Sequence, residues 1–391
     1  MSNDVNDLND LNDLNDVNDL NDLDDVVGLT AALAAINSVN PDLIPGAPGE
    51  GEVAAFVAHW CAARGLEVHH TEAAPGRPNV VAVRRGSGAS SGGAGRSLLL
   101  NGHMDTVGST GESTMRVYRE GGRLHGRGVL DTKGGLAAAL LVAASIGEGE
   151  LAGDVIVAAV ADEEMGSVGT EALVREWRAD AAVVLEPTDL TVIRSHRGWA
   201  MVRADFTGVP SHTSRPDRGV NAVEAAARAT LAVRALDDTW MARGDVTSRP
   251  IVVANAVRSE GSPATVPDRC TLLAELRTVA PDEDDQIAAA IDAIRGAAGE
   301  CAVDVGVTLH RRAMSLAEDH PFLRAVLDVV PGPAKNAPYW TDAALHEAAG
   351  TPAVVLGPTG EGLHEHLEWV TEQSLRELQT MLDGIVRSWC A

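Results

Sequence analysis

Three short apolar runs in this chain end in acid or histidine, and that repetition restricts the fold more than any other feature. Leu98-Leu99-Leu100-Asn101 runs into Gly102-His103-Met104-Asp105, Val155 to Ala161 runs into Asp162-Glu163-Glu164, and Ala181 to Leu185 runs into Glu186-Pro187-Thr188. An apolar run without alternation reads as a strand buried on both faces. Helix-forming stretches separate the runs, which predicts an α/β fold with a mainly parallel sheet between helices. In such sheets ligands bind beyond the carboxyl ends of the strands. Asp131 adds a further carboxylate in the loop before the helix-forming run that starts at Lys133, and a helix N-terminus favours anions.

Collected, the candidate site residues are His103, Asp105, Asp131, Glu163, Glu164, Glu186 and, in the late loop 357–368, His364 with His366 as its rival. Oxygen and imidazole donors without thiolate suit zinc, with cobalt or manganese as substitutes. Two divalent ions fit better than one: their four positive charges balance three carboxylates and a hydroxide, whereas one ion leaves buried anions unpaired. Asp131 would bridge, with His103 and Glu186 on one ion and Glu164 and His364 on the other. Asp105 would hold the second imidazole nitrogen of His103. Glu163, the spare carboxylate, suits a general base that takes a proton from metal-bound water and delivers it to a leaving amine.

A length of 391 residues implies two domains. Residues 3 to 25 repeat Asn-Asp-Leu or Asn-Asp-Val with nine aspartates and no basic residue. A period of three matches neither helix nor strand, so the segment 1–25 is expected to be a disordered tail. The glycines that turn calcium-binding repeats are missing. A net charge of -25 argues against a nucleic-acid partner. Scattered cysteines, the lack of a membrane-length apolar run and the lack of a signal peptide lead to the expectation of a soluble cytoplasmic protein. The run Gly86 to Gly95 reads as a flexible connector, although Gly88-Ala89-Ser90-Ser91-Gly92 formally matches a hydrolase nucleophile pattern. After Arg197-Gly198 the order strand, helix, two strands, helix, strand predicts an inserted α+β unit of the split βαβ type at 198–310. The catalytic domain would then comprise 26–197 and 311–391.

The motifs resemble those of the dinuclear zinc amidohydrolases that include acetylornithine deacetylase, succinyl-diaminopimelate desuccinylase, aminoacylase and carboxypeptidase G. The matching runs are Gly102 to Val107, Gly126-Arg127-Gly128 with Asp131 to Gly135, Asp162-Glu163-Glu164 with Gly166-Ser167 and Gly169, Glu186-Pro187-Thr188, and His364 four residues before Glu368-Trp369-Val370. They cover about 27 to 391. The resemblance implies a zinc-peptidase-like catalytic domain with an inserted lid and dimerisation domain, the ligand roles given above, and a cis peptide at Asp131-Thr132. It also implies that His212, in Gly208 to Pro216, reaches the partner's site across a homodimer, and that Arg277 binds a substrate carboxylate. Two departures stand out: Gly261 to Pro267 lacks an asparagine usual before the Val-Pro, and His366 stands where the family often has proline. Motif register favours His364 as the ligand.

The expected activity is metal-dependent hydrolysis of an amide in a small N-acyl amino acid by a metal-bound hydroxide with Glu163 as base. A dipeptidase or carboxypeptidase with the same centre is the alternative, and a non-catalytic binding protein on the fold is a third reading. A phosphate-binding loop near Lys133 is excluded, because Lys133 follows Thr132 and not a glycine.

Overall fold

The computed structural model describes residues 22–88, 95–108 and 116–391. Most of the repeat, and the nucleophile-like pattern from Ala89 on, lie outside the described residues. The chain forms two compact units. One comprises the chain up to Ile193 with Ala317–Ala334 and Leu345–Ala391, and the other comprises Arg194–Leu316 with Lys335–Ala344.

The sheet of the first unit contains β1 (Glu67–Ala74), β2 (Arg77–Arg84), β3 (Leu98–His103), β4 (Val155–Val160) and β5 (Ala181–Val184). Their order is β1-β2-β4-β3-β5, followed by the strand Ala353–Val355. The pairs from β4 to Ala353–Val355 are parallel, while β1 and β2 on one side and Ile193–His196 and Met314–Ser315 on the other join antiparallel. Every residue of β3, β4 and β5 is buried, so both faces are covered and hydrophobic alternation would serve no purpose. β1 is the strand the sequence does not show: it lies at the edge, mostly half-buried or exposed, and its Glu-Val-His-His-Thr-Glu run carries no apolar pattern.

Helix α1 (Val26–Ala35) and the C-terminal helix Glu372–Trp389 pack on α2 (Lys133–Ser145), which packs on β3 and β4. Residues 22–25, assigned to the tail by sequence, are tied to this layer. Asp25 caps α1 by accepting from Val27 and Gly28 and also pairs with Arg376, while Leu23 accepts from the Trp60 indole. The period-three pattern conceals a helix cap because Asp25 belongs equally to the repeat and to the helix start. Close contact fixes the start of α2: a Cβ on Gly135 would lie 2.7 Å from the Leu185 carbonyl oxygen, at the end of β5.

The second unit is built on β6 (Gly198–Thr207), β7 (Ile251–Arg258), β8 (Arg269–Thr278) and β9 (Ala302–Arg311), ordered β7-β8-β6-β9 with every neighbour antiparallel. With helices Ala222–Met241 and Glu283–Ala297 between strands this is the split βαβ topology. Alternate residues of β6, Ala200, Val202, Ala204 and Phe206, enter the core with Ala225, Ala229, Leu272 and Ile294. Lys335–Ala344, which the sequence reading leaves in the catalytic part, joins this unit through the strand Lys335–Ala337, which pairs with Ile193–His196.

His346 is buried, its Nε2 accepting from Asn101 Nδ2 at 3.0 Å beneath the strand that carries His103. Burial pushes its pKa down to about 4. The unfolded chain therefore binds a proton that the folded chain refuses between about pH 6.5 and 4, and stability present above that window is lost on acidification. Between pH 7 and pH 5 this histidine should cost about 2 kcal/mol of stability. Urea unfolding at the two pH values should show that loss in the native chain and a smaller one in His346→Gln.

Candidate metal centre

The ends of β3, β4 and β5 and the loops before α2 and after Ala353–Val355 bring the acids and histidines of the first unit together. Asp131 lies between two imidazoles, its Oδ1 3.0 Å from His103 Nε2 and its Oδ2 3.4 Å from His364 Nε2. His364 Nε2 is 3.0 Å from Glu164 Oε2, and His103 Nε2 is 3.8 Å from Glu186 Oε1. Donor atoms of His103, Asp131 and Glu164, and separately of His103, Glu163 and Glu186, lie within 4.8 Å of one another. His364 meets Asp131 and Glu164 from a left-handed backbone conformation at φ 58°.

The orientation of His103 follows from its neighbours. Its Nδ1 is 2.8 Å from the backbone oxygen of Asp105, which can only accept, so Nδ1 carries the hydrogen and Nε2 is turned to the carboxylates. The Thr132 hydroxyl accepts from the His103 N–H at 3.0 Å, and the Asp131–Thr132 peptide is cis, as the resemblance implies. Asp105 is itself buried and held on all sides: it accepts from Asn40 Nδ2 at 2.7 Å and from the backbone N–H groups of Glu163 and Glu164 at 3.1 and 3.3 Å.

Electrostatics tell what the cluster lacks. Burial raises the pKa of Glu186, and the charges of Asp131 and Glu163 raise it further; burial and Asp131 do the same to Glu164. Burial opposes protonation of His103, yet Asp105, Asp131 and Glu186 hold its pKa well above the usual value. Asp131 and Glu164 lift that of His364 to about 10. Carboxylates forced toward protonation beside imidazoles forced to keep protons are a site short of positive charge. An all-oxygen and imidazole donor set fits divalent ions that would supply it.

Of the residues that complete the site, Asn40, Glu50 and Arg77 carry no recognisable spacing in the sequence, whereas Arg127 and Glu368 lie in motif runs that do not reveal their task. Arg77 donates through Nε and Nη2 to Glu50 at 3.0 and 2.7 Å, also through Nη2 to Asp162 at 3.0 Å, and pairs with Asp42. Asn40 links Asp162 to Asp105, so this buried group holds the loop that presents Glu163 and Glu164. Glu368 is buried and accepts from the N–H groups of Gly128, Leu130 and Asp131 at 2.9, 2.9 and 3.2 Å, and from Arg127 at 2.9 Å. Arg127 in turn donates to the Glu365 carbonyl oxygen, so one acid and one arginine fasten the His364 loop to the Asp131 loop. In the sequence Glu368 shows only as part of the run Glu368-Trp369-Val370, four residues after His364, with no sign of what it fastens.

His212 and Arg277 belong to the second unit. His212 is exposed on the two-residue strand Ser211–His212, with Nδ1 2.8 Å from Ser214 Oγ. Arg277 pairs with Glu275 at 2.8 Å and lies over the Trp199 ring.

Comparison with known proteins agrees with this geometry. The profile described as peptidase family M20/M25/M40 matches residues 99–388, more than half of the chain. The chain belongs to the M20 peptidase family. An acetylornithine deacetylase from Myxococcus xanthus is 28% identical over 327 residues, covering 80% of this chain and 84% of that protein. Among solved structures, aminopeptidase PepT from Bacillus cereus superposes with a TM-score of 0.78 at 19% identity, covering 95% of this chain and 99% of its own. A dinuclear metal binding peptidase of the M20 family from Bacillus subtilis superposes with a TM-score of 0.67 at 14% identity, covering 93% and 98%. M20 membership with a clustered donor set makes this chain a metal-dependent hydrolase of amide bonds. Among the described residues no helix is long and apolar enough to cross a membrane.

Removing the Glu368 carboxylate leaves Arg127 and three N–H groups of the Asp131 loop without their acceptor, a loss of about 3–5 kcal/mol for a broken buried pair. Glu368→Ala should lower the melting temperature and weaken divalent-metal affinity at least tenfold by calorimetric titration. Glu368→Asp should recover part of both.

Proposed function

We propose that this M20 protein hydrolyses the amide of a small N-acyl amino acid, releasing a carboxylate and an amine, with a pair of zinc ions. The observation that carries the reading is Asp131 set between His103 and His364, with Glu163 and Glu186 beside the first imidazole and Glu164 beside the second. His103, Asp131 and Glu186 would hold one ion, and Asp131, Glu164 and His364 the other. Bound there, two divalent ions polarise a carbonyl and lower the pKa of water.

The chain's own residues do the rest. Glu163 accepts the proton of the attacking water and returns it to the departing nitrogen, so that the amine leaves neutral. Asp105 fixes the imidazole of His103, which keeps its lone pair directed at the centre. His212, reaching in from the second subunit of a homodimer, donates to the oxyanion that forms on the acyl carbon. The relationship to acetylornithine deacetylase over most of the chain favours deacylation. The peptidase reading rests on neighbours of low identity that share the fold.

Elemental analysis should find two divalent ions per chain, and chelation should abolish turnover of N-acetyl amino acids, assayed beside dipeptides. Glu163→Gln should retain both ions and lose several orders of magnitude in rate, because it removes a proton acceptor and not a ligand. Loss of metal in that variant would transfer the base role to Glu164.

The action of His212 across a dimer is read by mixing. His212→Ala and Glu163→Gln chains, each nearly inactive, should on subunit exchange regain activity toward half the native value per heterodimer, because one site then holds both native groups. A mixture that stays inactive after demonstrated exchange would confine His212 to its own chain.

A further inference from the structure

The sheet of the second unit buries one face against its helices and leaves the other open. Ala204, Cys270 and Leu272 point into the core, so their strand neighbours Arg203, Asp205, Arg269, Thr271 and Leu273 lie on the open face. The register sets these side chains beside one another: Thr271 is opposite Asp205, Leu273 opposite Arg203, and Arg269 opposite Thr207. On the other side of β8 the register with β7 slips by one residue between Ala254 and Ala256. Such a bulge changes which side chains of a strand look outward. Val253 is opposite Glu275, and strict alternation from there would turn Arg258 toward the helices. With the extra residue Arg258 falls opposite Thr271, on the open face. The bulge thus brings a third arginine to Arg203 and Arg269.

The three arginines line a hollow of about 320 Å³ together with Ser259, Glu260 and Thr271. Part of their charge is met within the fold. Arg203 forks onto Asp205, with Nε donating to Oδ2 at 2.7 Å and Nη2 to Oδ1 at 2.8 Å, and the Thr271 hydroxyl donates to the same carboxylate at 2.5 Å. The other two cations are left without an acid. Arg269 donates from Nη1 to the Thr207 hydroxyl at 2.8 Å, a neutral acceptor, and among the described residues Arg258 has no hydrogen bond or ion pair. Ser259 ties the rim by donating from Oγ to the Arg269 carbonyl oxygen at 2.7 Å. Two unanswered guanidiniums on one hollow repel each other, and an anion shared between them turns that repulsion into attraction.

We propose that this hollow, built wholly by the second unit, binds a small phosphate monoester. Arg258 and Arg269 supply the two positive charges that a phosphate dianion calls for, and their planar forks match its oxygens. Glu260, on the same rim, accepts from a hydroxyl of the organic part. The volume suits a small molecule, and a net charge of -25 speaks against nucleic acid as the bearer of the phosphate. Arg277, to which the family resemblance gives a substrate carboxylate, stands toward the other end of β8, roughly 26 Å along the strand from Arg269 at the usual rise per residue.

The test is calorimetric titration of the metal-loaded full chain with glucose 6-phosphate, with glucose as the neutral control. Arg258→Gln/Arg269→Gln should bind one equivalent of the ester fewer per chain than the native protein, because any phosphate held at the metal centre is common to both. Equal stoichiometry overturns the proposal, and so does glucose binding as tightly as its phosphate. At the site that the double variant lacks, affinity should fall at least tenfold between low salt and 0.5 M sodium chloride, roughly the range over which exposed charges become screened. Inorganic phosphate should bind there more weakly than the ester, and equal affinity overturns the assignment to a monoester. Both arginines are exposed, so the variants should melt as the native chain does. If the double variant does not fold, Arg258→Lys decides: it keeps the charge but loses the fork, and should bind the ester several-fold more weakly, whereas native affinity overturns the proposal.

Discussion

Crowding of like charge at one end of a buried sheet is the constraint on which the rest of the first unit depends. Asp105, Asp131, Glu163, Glu164 and Glu186 converge where β3, β4 and β5 end, and a chain free to relax would spread them apart. Burial sharpens the repulsion, since the effective dielectric is far below that of water. The loops can hold this arrangement only because each is fastened from behind. Arg77, Asn40 and Glu50 secure the loop after β4, and Glu368 with Arg127 secures the loop before α2. Close backbone packing adds to this: a Cβ on Gly357 would lie 2.1 Å from the Glu186 carbonyl oxygen, and one on Gly135 would meet Leu185. Side chains at those two positions would push apart the elements that present Glu186 and Asp131.

Fastening of this kind explains why ligands so far apart in sequence can share a centre. His364 lies more than two hundred residues beyond Asp131 in a loop with its side chain partly exposed, which by itself would leave the imidazole to wander. Glu368 removes that freedom by accepting three N–H groups from the Asp131 loop while Arg127 grips the carbonyl oxygen of Glu365. A displacement of either loop therefore strains the other, and the two imidazoles facing Asp131 move as one assembly. Preorganisation of the ligands is obtained from backbone acceptors and donors, which have little side-chain entropy to lose.

The parts of this structure that were legible in the sequence are those in which chemistry and local pattern coincide. An apolar strand followed at once by acids announces both the sheet and the site, so β3, β4 and β5 and the cluster at their ends could be placed without coordinates. The supporting residues could not. Asn40, Glu50 and Arg77 are single polar residues in a loop, at a helix start and in β2, each unremarkable where it stands, and only the folded chain brings them to Asp105 and Asp162. β1 was hidden because an edge strand need not be apolar, and Asp25 because a repeat ran into a helix cap.

The acid cluster of the first unit is a charge imbalance built into a packed interior. That unit carries carboxylates that the polypeptide alone does not neutralise, and the cost is borne by its well-packed interior, α2 and the strands beneath it. Unpaired charge held in place by a rigid frame favours whatever brings the missing charge, because the frame needs no rearrangement when it arrives. For the carboxylates that is divalent cations. Burying unpaired carboxylates together lowers the stability of the fold, so the neutralisation of the acid cluster belongs to binding and not to folding.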